Sequence, residues 1–490
     1  MLEYYNMIKN RKKDIMKEKV LRFIFILIVL AIISFAIFKI YEEKNEKISE
    51  QDLHYEKETM ITSLRLGIPE YDNINPLISN NREIINISPI IYEPLFTLDK
   101  TYKLQECLAK EYSKLSNTCY VIKLKDNIKW QDGTAFTTED VIFTIDKIKQ
   151  LSNSVYYANV ENIKNIENVD SNTIKINLNK EQPFFQYELI FPILSSSQYK
   201  KEDFSNSIPT GTGMYKVTKN DANMIELEKN NNWRNIETQN AKIEKIKIYK
   251  YASVGELYNN FKLGNIDFIN TTNTNIQEYI GTIGFNLREY QGRGYNYLAL
   301  NCNNKVLANK EVRQAINYAI DKNTIISKEL SNNYFASNFI LDYGSYLYQG
   351  NEENSYNPKK AKEILEKAGW KLNYGTWQKD GMTIELKLVV SAENEARVKA
   401  SNIIKEQLEE IGIKVYIDAV QQNRYDLYLK DKNYDIIFTG IYNSYSHNIT
   451  TLYGVNNLAN YRNEEIEELI ENINNSTDET IIKEKYNNLE

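Results

Sequence analysis

The sequence predicts an α/β protein made of more than one packed unit, and three observations carry that prediction. Residues 295–301 alternate, with Tyr295, Tyr297, Ala299 and Asn301 on one side and Asn296, Leu298 and Leu300 on the other, the period of a half-buried strand. Val312, Ala315, Ile316, Ala319 and Ile320 then recur at helical spacing, so a strand feeds a helix with one buried stripe. Further on, Ile384, Leu386 and Leu388 read as a strand, Ala396–Ile411 as a helix closed by Gly412, and Ile413, Val415 and Ile417 as a second strand. Such a β-α-β run requires a parallel pair and a right-handed crossover. At 490 residues the chain is too long for one ordinary core.

Composition narrows the function classes. The chain is 42% hydrophobic and 26% charged with a formal charge of −6, and acid and base are interspersed without a basic stripe, which argues against nucleic acid as a partner. Three cysteines, Cys107, Cys119 and Cys302, make neither a disulfide framework nor a metal site. Cys107 and Cys119 could bridge in an oxidising compartment or sit as small buried residues. Two histidines, His54 and His447, leave few general bases, so no catalytic residue, metal ligand or cofactor site is assigned.

The N-terminal segment is read as an anchor. Phe23–Phe38 is an apolar run broken only by Ser34, and Ile40 and Tyr41 extend it past Lys39. Arg22 and Lys39 can snorkel to the interface, which makes a short span workable. Lys9, Arg11, Lys12, Lys13, Lys17, Lys19 and Arg22 precede it, so positive charge stays cytoplasmic and the remainder is expected on the cell-wall side. A cleaved leader would want a small-residue site after the apolar run, and a lipoprotein leader a cysteine; neither is present. The expected layout is a basic segment 1–22, a transmembrane helix 23–41 and a charged linker 42–60.

The elements after the linker follow in order. Ile61–Ile68 reads as a strand, the turn-type run Asn73–Leu77 follows, and Ile85–Leu95 carries helical spacing. Between them lies a polar patch that includes Asn80, Asn81 and Arg82. Asn117–Lys125 is a strand, Asp132-Gly133 a tight turn, and Thr137 an N-cap with Asp140 three residues on. Val141, Ile142, Ile145 and Ile148 are the buried stripe of the helix so capped. Gly211 and Gly213 are not a nucleotide loop, since no Lys-Ser/Thr follows and no helix opens. Ile243, Ile246 and Ile248 form a strand, and Val254–Leu263 a helix. Asn357-Pro358 caps and opens a helix through Ala361, Ile364, Leu365 and Ala368, which Gly369 ends. Tyr434–Ile441 adds a last strand.

Several of these stretches, in this order, resemble the bacterial extracellular solute-binding proteins of the oligopeptide and dipeptide-binding family (family 5). They are Asn75-Pro76 with Tyr92-Glu93-Pro94-Leu95, Trp130-x-Asp132-Gly133 with Thr137 and Asp140-Val141, and Pro209–Tyr215, where Met214 stands in a usual proline position. Asn230–Trp233, Lys262–Asp267 and Asn301 with Val312–Ala315 and Tyr318–Asp321 continue the match. The resemblance covers about residues 61–490. It implies a two-lobed periplasmic-binding-protein-like fold (type II, cluster C) with an extra subdomain in lobe 1, here preceded by the transmembrane helix. Lobe 1 is then 61–97 and 197–292, its subdomain 98–196, and lobe 2 293–490. Family members continue past the last helix into strands that re-enter lobe 1, whereas this sequence stops at Glu490, so the expectation is either a truncated sequence or a hinge with one crossing fewer.

By the same resemblance a ligand sits between the lobes. The second-lobe wall would be Gly440, Tyr442, Asn443, Ser444 and Tyr445, with Tyr295, Tyr297 and Asn301 at the hinge. Asn80, Asn81, Arg82 and Tyr156 would face them from lobe 1. Peptide-binding members carry a Trp just after the glycine and an Asp that holds the peptide's ammonium; Ile441 and Ser444 stand there instead. The tyrosines either stack on the ligand or merely cover the sheet, and the polar patch either faces the cleft or is a solvated loop. The implied function is a non-enzymatic receptor, anchored in the cell membrane, that captures a peptide or peptide-like solute and delivers it to the permease subunits of an ABC importer. The ATPase would be reached only indirectly. A membrane-tethered sensor of the same fold is the alternative.

Overall fold

The computed structural model describes residues 62–490 except 70, 203, 205, 206, 240, 272–283, 291, 331, 332, 343, 349, 351–355, 443, 444, 447, 455 and 490. The expected transmembrane helix therefore lies outside the described residues. Among those described, no helix is long and apolar enough to cross a membrane.

The first half of the chain lays two four-stranded sheets against one core. One sheet has the order Ser63–Pro69, Lys245–Tyr251, Met224–Lys229, Tyr215–Asn220. The other is antiparallel throughout, in the order Ala109–Ser116, Cys119–Leu124, Thr173–Leu178, Ile163–Asp170. Alternate residues of both sheets turn inward: Ile246 and Ile248, Ile225 and Leu227, Tyr120, Ile122 and Leu124, Ile174 and Ile176. All join a single apolar cluster. The helix Thr138–Gln150 adds Val141, Ile145 and Ile148 to it, at the predicted spacing.

The polar motifs of this half are cross-ties. Asp140 is buried and accepts three N–H groups: backbone Thr137 at 2.8 Å, the Trp130 indole at 3.2 Å and backbone Ser196 at 2.8 Å. One carboxylate thus closes the helix start and pins the preceding turn and a segment 56 residues away, which is why a turn, a tryptophan and an acid recur as one word. Glu93 is equally buried and is held by the Trp233 indole at 3.2 Å and by the Arg234 guanidinium. Gly211 and Gly213 run hard against the end of the helix Arg82–Ile91. A Cβ on Gly211 would lie 1.8 Å from the Ile91 carbonyl oxygen, so the glycines serve close backbone approach.

The second half builds a mixed sheet in the order Gly294–Leu300, Ile436–Tyr442, Glu385–Ser391, Lys414–Val420. The first pair is antiparallel and the other two are parallel, as the β-α-β run requires. Leu298, Leu300, Leu386, Leu388, Val415, Ile436 and Phe438 face one core, shared with the helices Lys310–Ala319 and Glu395–Glu410. Tyr297, Ala299, Val389 and Ile437 face the other side, where Tyr425 of the helix Gln422–Asp431 covers them. The helix Glu395–Glu410 ends at Gly412 with φ of +90°, and the Trp377 indole donates to the Ile411 carbonyl at 2.6 Å across that end.

A third apolar cluster joins the two halves. Phe184 and Tyr187 of the first half pack with Phe339, Ile340, Leu341 and Leu347, and with Ile470, Ile473, Ile482 and Tyr486 of the helices Glu464–Asn475 and Glu479–Leu489. Polar contacts reinforce it: Lys103 with Glu479 at 2.5 Å, Lys114 with the Asn474 carbonyl at 2.8 Å, and Asn117 with Asn475 at 2.8 Å. The last two helices therefore dock on the first half of the chain, although they follow the second sheet in sequence.

Candidate functional site

The second sheet positions a site at the carboxyl ends of its parallel strands. The connection leaving Glu385–Ser391 becomes the helix on one face, and that leaving Lys414–Val420 becomes the helix on the opposite face. Neighbouring parallel strands whose exits part in this way leave a crevice at the sheet edge, where open α/β sheets take ligands. Ser391 donates to the Gln422 side chain at 2.8 Å across that edge, and Ala392 N–H donates to the Val420 carbonyl at 2.8 Å. Asn394 caps the helix through the Arg397 N–H at 3.0 Å.

Arg397 and Gly440 meet here. The Arg397 Nε donates to the Asn296 side-chain oxygen at 3.0 Å, and Asn296 lies opposite Gly440 in the strand pair. A Cβ on Gly440 would stand 2.3 Å from the Arg397 Nη2 and 2.6 Å from the Asn296 oxygen. Gly440 is therefore the residue over which the guanidinium lies. Two positions on, Tyr442 ends the strand and is 87% exposed.

The remaining predicted site residues fall into two groups. Tyr295 and Tyr297 stack on each other, centroids 5.8 Å apart and planes 23° from parallel. Burial pushes the Tyr297 hydroxyl up to about 12 and the Tyr295 hydroxyl higher still, as expected of rings that also pack into the apolar clusters. Asn301 is buried with every hydrogen-bonding position occupied. Its amide donates to the Lys432 and Tyr434 carbonyls, and its oxygen accepts from Asn303 N–H and the Asn460 amide. It fastens the end of its strand and has no capacity left for a ligand.

On the facing side, Asn81 caps the helix Arg82–Ile91 by accepting from Glu83 and Ile84 N–H, while Asn80 and Arg82 are exposed. Tyr156 packs at a tilt on Phe191, with centroids 6.4 Å apart, and its hydroxyl is pushed up to about 12, first by burial. Ser88 of the capped helix lowers the pKa of that hydroxyl through a hydrogen bond, and Tyr445 of the second half raises it. Asn443, Ser444 and His447 lie outside the described residues.

One group that sequence reasoning missed ties the halves together. The Arg293 guanidinium sits between the rings of Tyr102, at 4.7 Å, and Tyr445, at 3.9 Å. Both its Nε and Nη2 donate to one Asp342 oxygen, at 2.9 and 2.7 Å. Arg397 and Asn296 were missed too. The signal available was an arginine in the first helical turn after a β-α-β strand, where such sheets gather their polar groups. Two shallow concavities, of about 470 and 340 Å³, lie elsewhere, against Thr324, Ser327 and Phe335 and against Lys360, Glu363 and Lys367. Neither includes a residue of the edge. The edge differs from them in bringing together convergent polar groups.

The sheets and helices of the two halves make this an α/β protein. The chain belongs to the bacterial extracellular solute-binding proteins, family 5, whose model for the middle region matches residues 103–463. The oligopeptide-binding protein AppA of Bacillus subtilis is 25% identical over 395 residues, covering 75% of this chain and 71% of AppA. The glutathione-binding protein GsiB of Escherichia coli is 24% identical over 382 residues, covering 71% of this chain and 68% of GsiB. Among solved structures, a nickel ABC transporter protein from Bacillus halodurans superposes with a TM-score of 0.75 at 18% identity, over 87% of this chain and 90% of that one. The two-lobed periplasmic-binding-protein-like fold is thus shared.

Proposed function

We propose that the protein is an extracellular receptor that captures a peptide or peptide-like solute between its lobes and passes it, chemically unchanged, to the permease of an ABC importer. The match of residues 103–463 to the family carries this reading. The oligopeptide- and glutathione-binding relatives support a peptide-like ligand. Closure on the solute supplies the signal through a higher affinity of the closed state. Tyr156 of the first half, and Tyr445 and the edge at Gly440 of the second, are the surfaces that would close. The apolar run 23–38, led by its basic segment, would hold the receptor at the outer face of the cell membrane.

The test is native mass spectrometry of the full chain purified in mild detergent. The expected result is a discrete small-mass adduct, released intact on denaturation, that rebinds in calorimetry. A chain that carries no adduct and takes up nothing from a peptide digest removes the proposal.

A further inference from the structure

We propose that the groove between the helix Lys322–Glu329 and the segment 333–338 binds a neutral saccharide, apart from the site between the lobes. Both walls are fixed from behind. Ile325 packs into the core of the second sheet, and Asp321 caps the helix by accepting from the Thr324 N–H at 3.1 Å. The opposite wall is anchored where Phe339 and Ile340 enter the cluster that joins the halves. Lys322 rivets the two walls together, donating to the Ser337 carbonyl at 2.9 Å and to the Asn338 side chain. The groove is therefore built into the fold, and its volume of about 470 Å³ falls in the range of about 300–1,000 Å³ usual for small-molecule sites.

The lining selects the chemistry. Every lining side chain is uncharged, in a chain of which 26% is charged, whereas the smaller concavity is rimmed by Lys360, Glu363 and Lys367. An ionic ligand would meet no counter-charge among these lining groups. The polar groups all come from the helix wall, and its hydroxyls are biased toward accepting. Thr324 gives its hydrogen to the Asp321 carboxylate at 2.7 Å, and Ser327 gives its own to the Thr324 carbonyl at 3.1 Å. Both oxygens keep lone pairs for an outside donor. The Asn323 amide makes no side-chain hydrogen bond among the described residues and adds both a donor and an acceptor. Across from them Tyr334 and Phe335 are 42% and 64% exposed. A pyranose fits this pairing, with hydroxyls that donate and accept along the helix and a C–H face that lies on a ring.

The test uses the full chain in mild detergent and neutral oligosaccharides of increasing length, β-1,4-linked N-acetylglucosamine, β-1,4-linked glucose and α-1,4-linked glucose. Calorimetry on wild type should show saturable binding of at least one series. Phe335→Ala and Asn323→Ala should each weaken it about tenfold, and Phe335→Tyr should retain it. The urea midpoint should stay unchanged in all three variants, because both positions are exposed. Affinity that climbs with length, together with retention on the insoluble glycan, names a polymer as the source. A plateau at the disaccharide names a free sugar, and either result supports the proposal. Peptide that fills the site between the lobes should leave saccharide binding as it was. Saccharide binding that peptide displaces, or that ignores both alanine substitutions, overturns the proposal and leaves the receptor reading standing. Absence of binding in every series also overturns it, without bearing on peptide capture.

Discussion

The two halves of the molecule use the same kinds of residue to opposite ends. In the first, the polar groups that make its motifs recognisable are spent inside the fold: Asp140 accepts three N–H groups and Glu93 is shared by Trp233 and Arg234. At the carboxyl edge of the second sheet, Arg397 is oriented by Asn296 and Gly440, and Tyr442 stands in solvent. A motif that reads strongly in sequence is here a folding device, while the candidate edge is written in residues without a local signature.

The sharpest break of that contrast would come from Asp140→Ala. Removal of the carboxylate strands three buried donors and should lower unfolding free energy by about 3–5 kcal/mol, read as a fall in the urea midpoint. The solute affinity of the remaining folded fraction should stay as it was. Arg293→Lys comes next. It keeps a charge between Tyr102 and Tyr445 but loses the planar stack and the two-point contact with Asp342, at a cost of about 1–2 kcal/mol. A thermal midpoint unchanged by Arg293→Lys would mean that the clamp between the halves contributes nothing.

A carboxylate with fewer partners sharpens the comparison within the first half. Glu188 accepts from the Asn159 amide at 3.0 Å, and burial pushes its carboxyl from an ordinary 4.5 up to about 7. Its folded pKa lies above its unfolded one, so the folded state holds the extra proton between those values. Stability from this group is present below about pH 4.5, declines as pH rises to about 7 and is flat above. Denaturant melts across that window should show the decline in wild type and lose it in Glu188→Gln; parallel slopes would refute the assignment. The smallest effect on stability belongs to Tyr442→Ala, within about 0.5 kcal/mol because the ring is exposed. Its consequence should be confined to solute affinity.

Much of the fold is legible because its signals are local. The parallel pair Glu385–Ser391 with Lys414–Val420, the capped helix after Thr137 and the helix end at Gly412 all follow from periodicity, capping and a positive φ. The strand Ala109–Ser116 is not legible. Its exposed Lys, Glu and Ser positions along a sheet edge carry almost no apolar alternation. Nor is the docking of the last two helices on the first half, since Ile470, Ile473 and Tyr486 announce a buried stripe without saying against what. Asn301 illustrates the limit at the site. It was named for its place in a motif, and its amide proves to be fully used by backbone and by Asn460. Arg397, Asn296 and Gly440 are far apart in sequence, and only the tertiary fold reveals that they touch.

The most direct measurement of this division of labour is the rise in thermal midpoint that peptides induce in Asp140→Asn and Tyr442→Ala, set beside wild type. The account predicts a lower starting midpoint with an undiminished rise for Asp140→Asn, and a nearly unaltered starting midpoint with a smaller rise for Tyr442→Ala. The reverse pattern, in which Asp140→Asn loses the rise and Tyr442→Ala keeps it, would contradict the account.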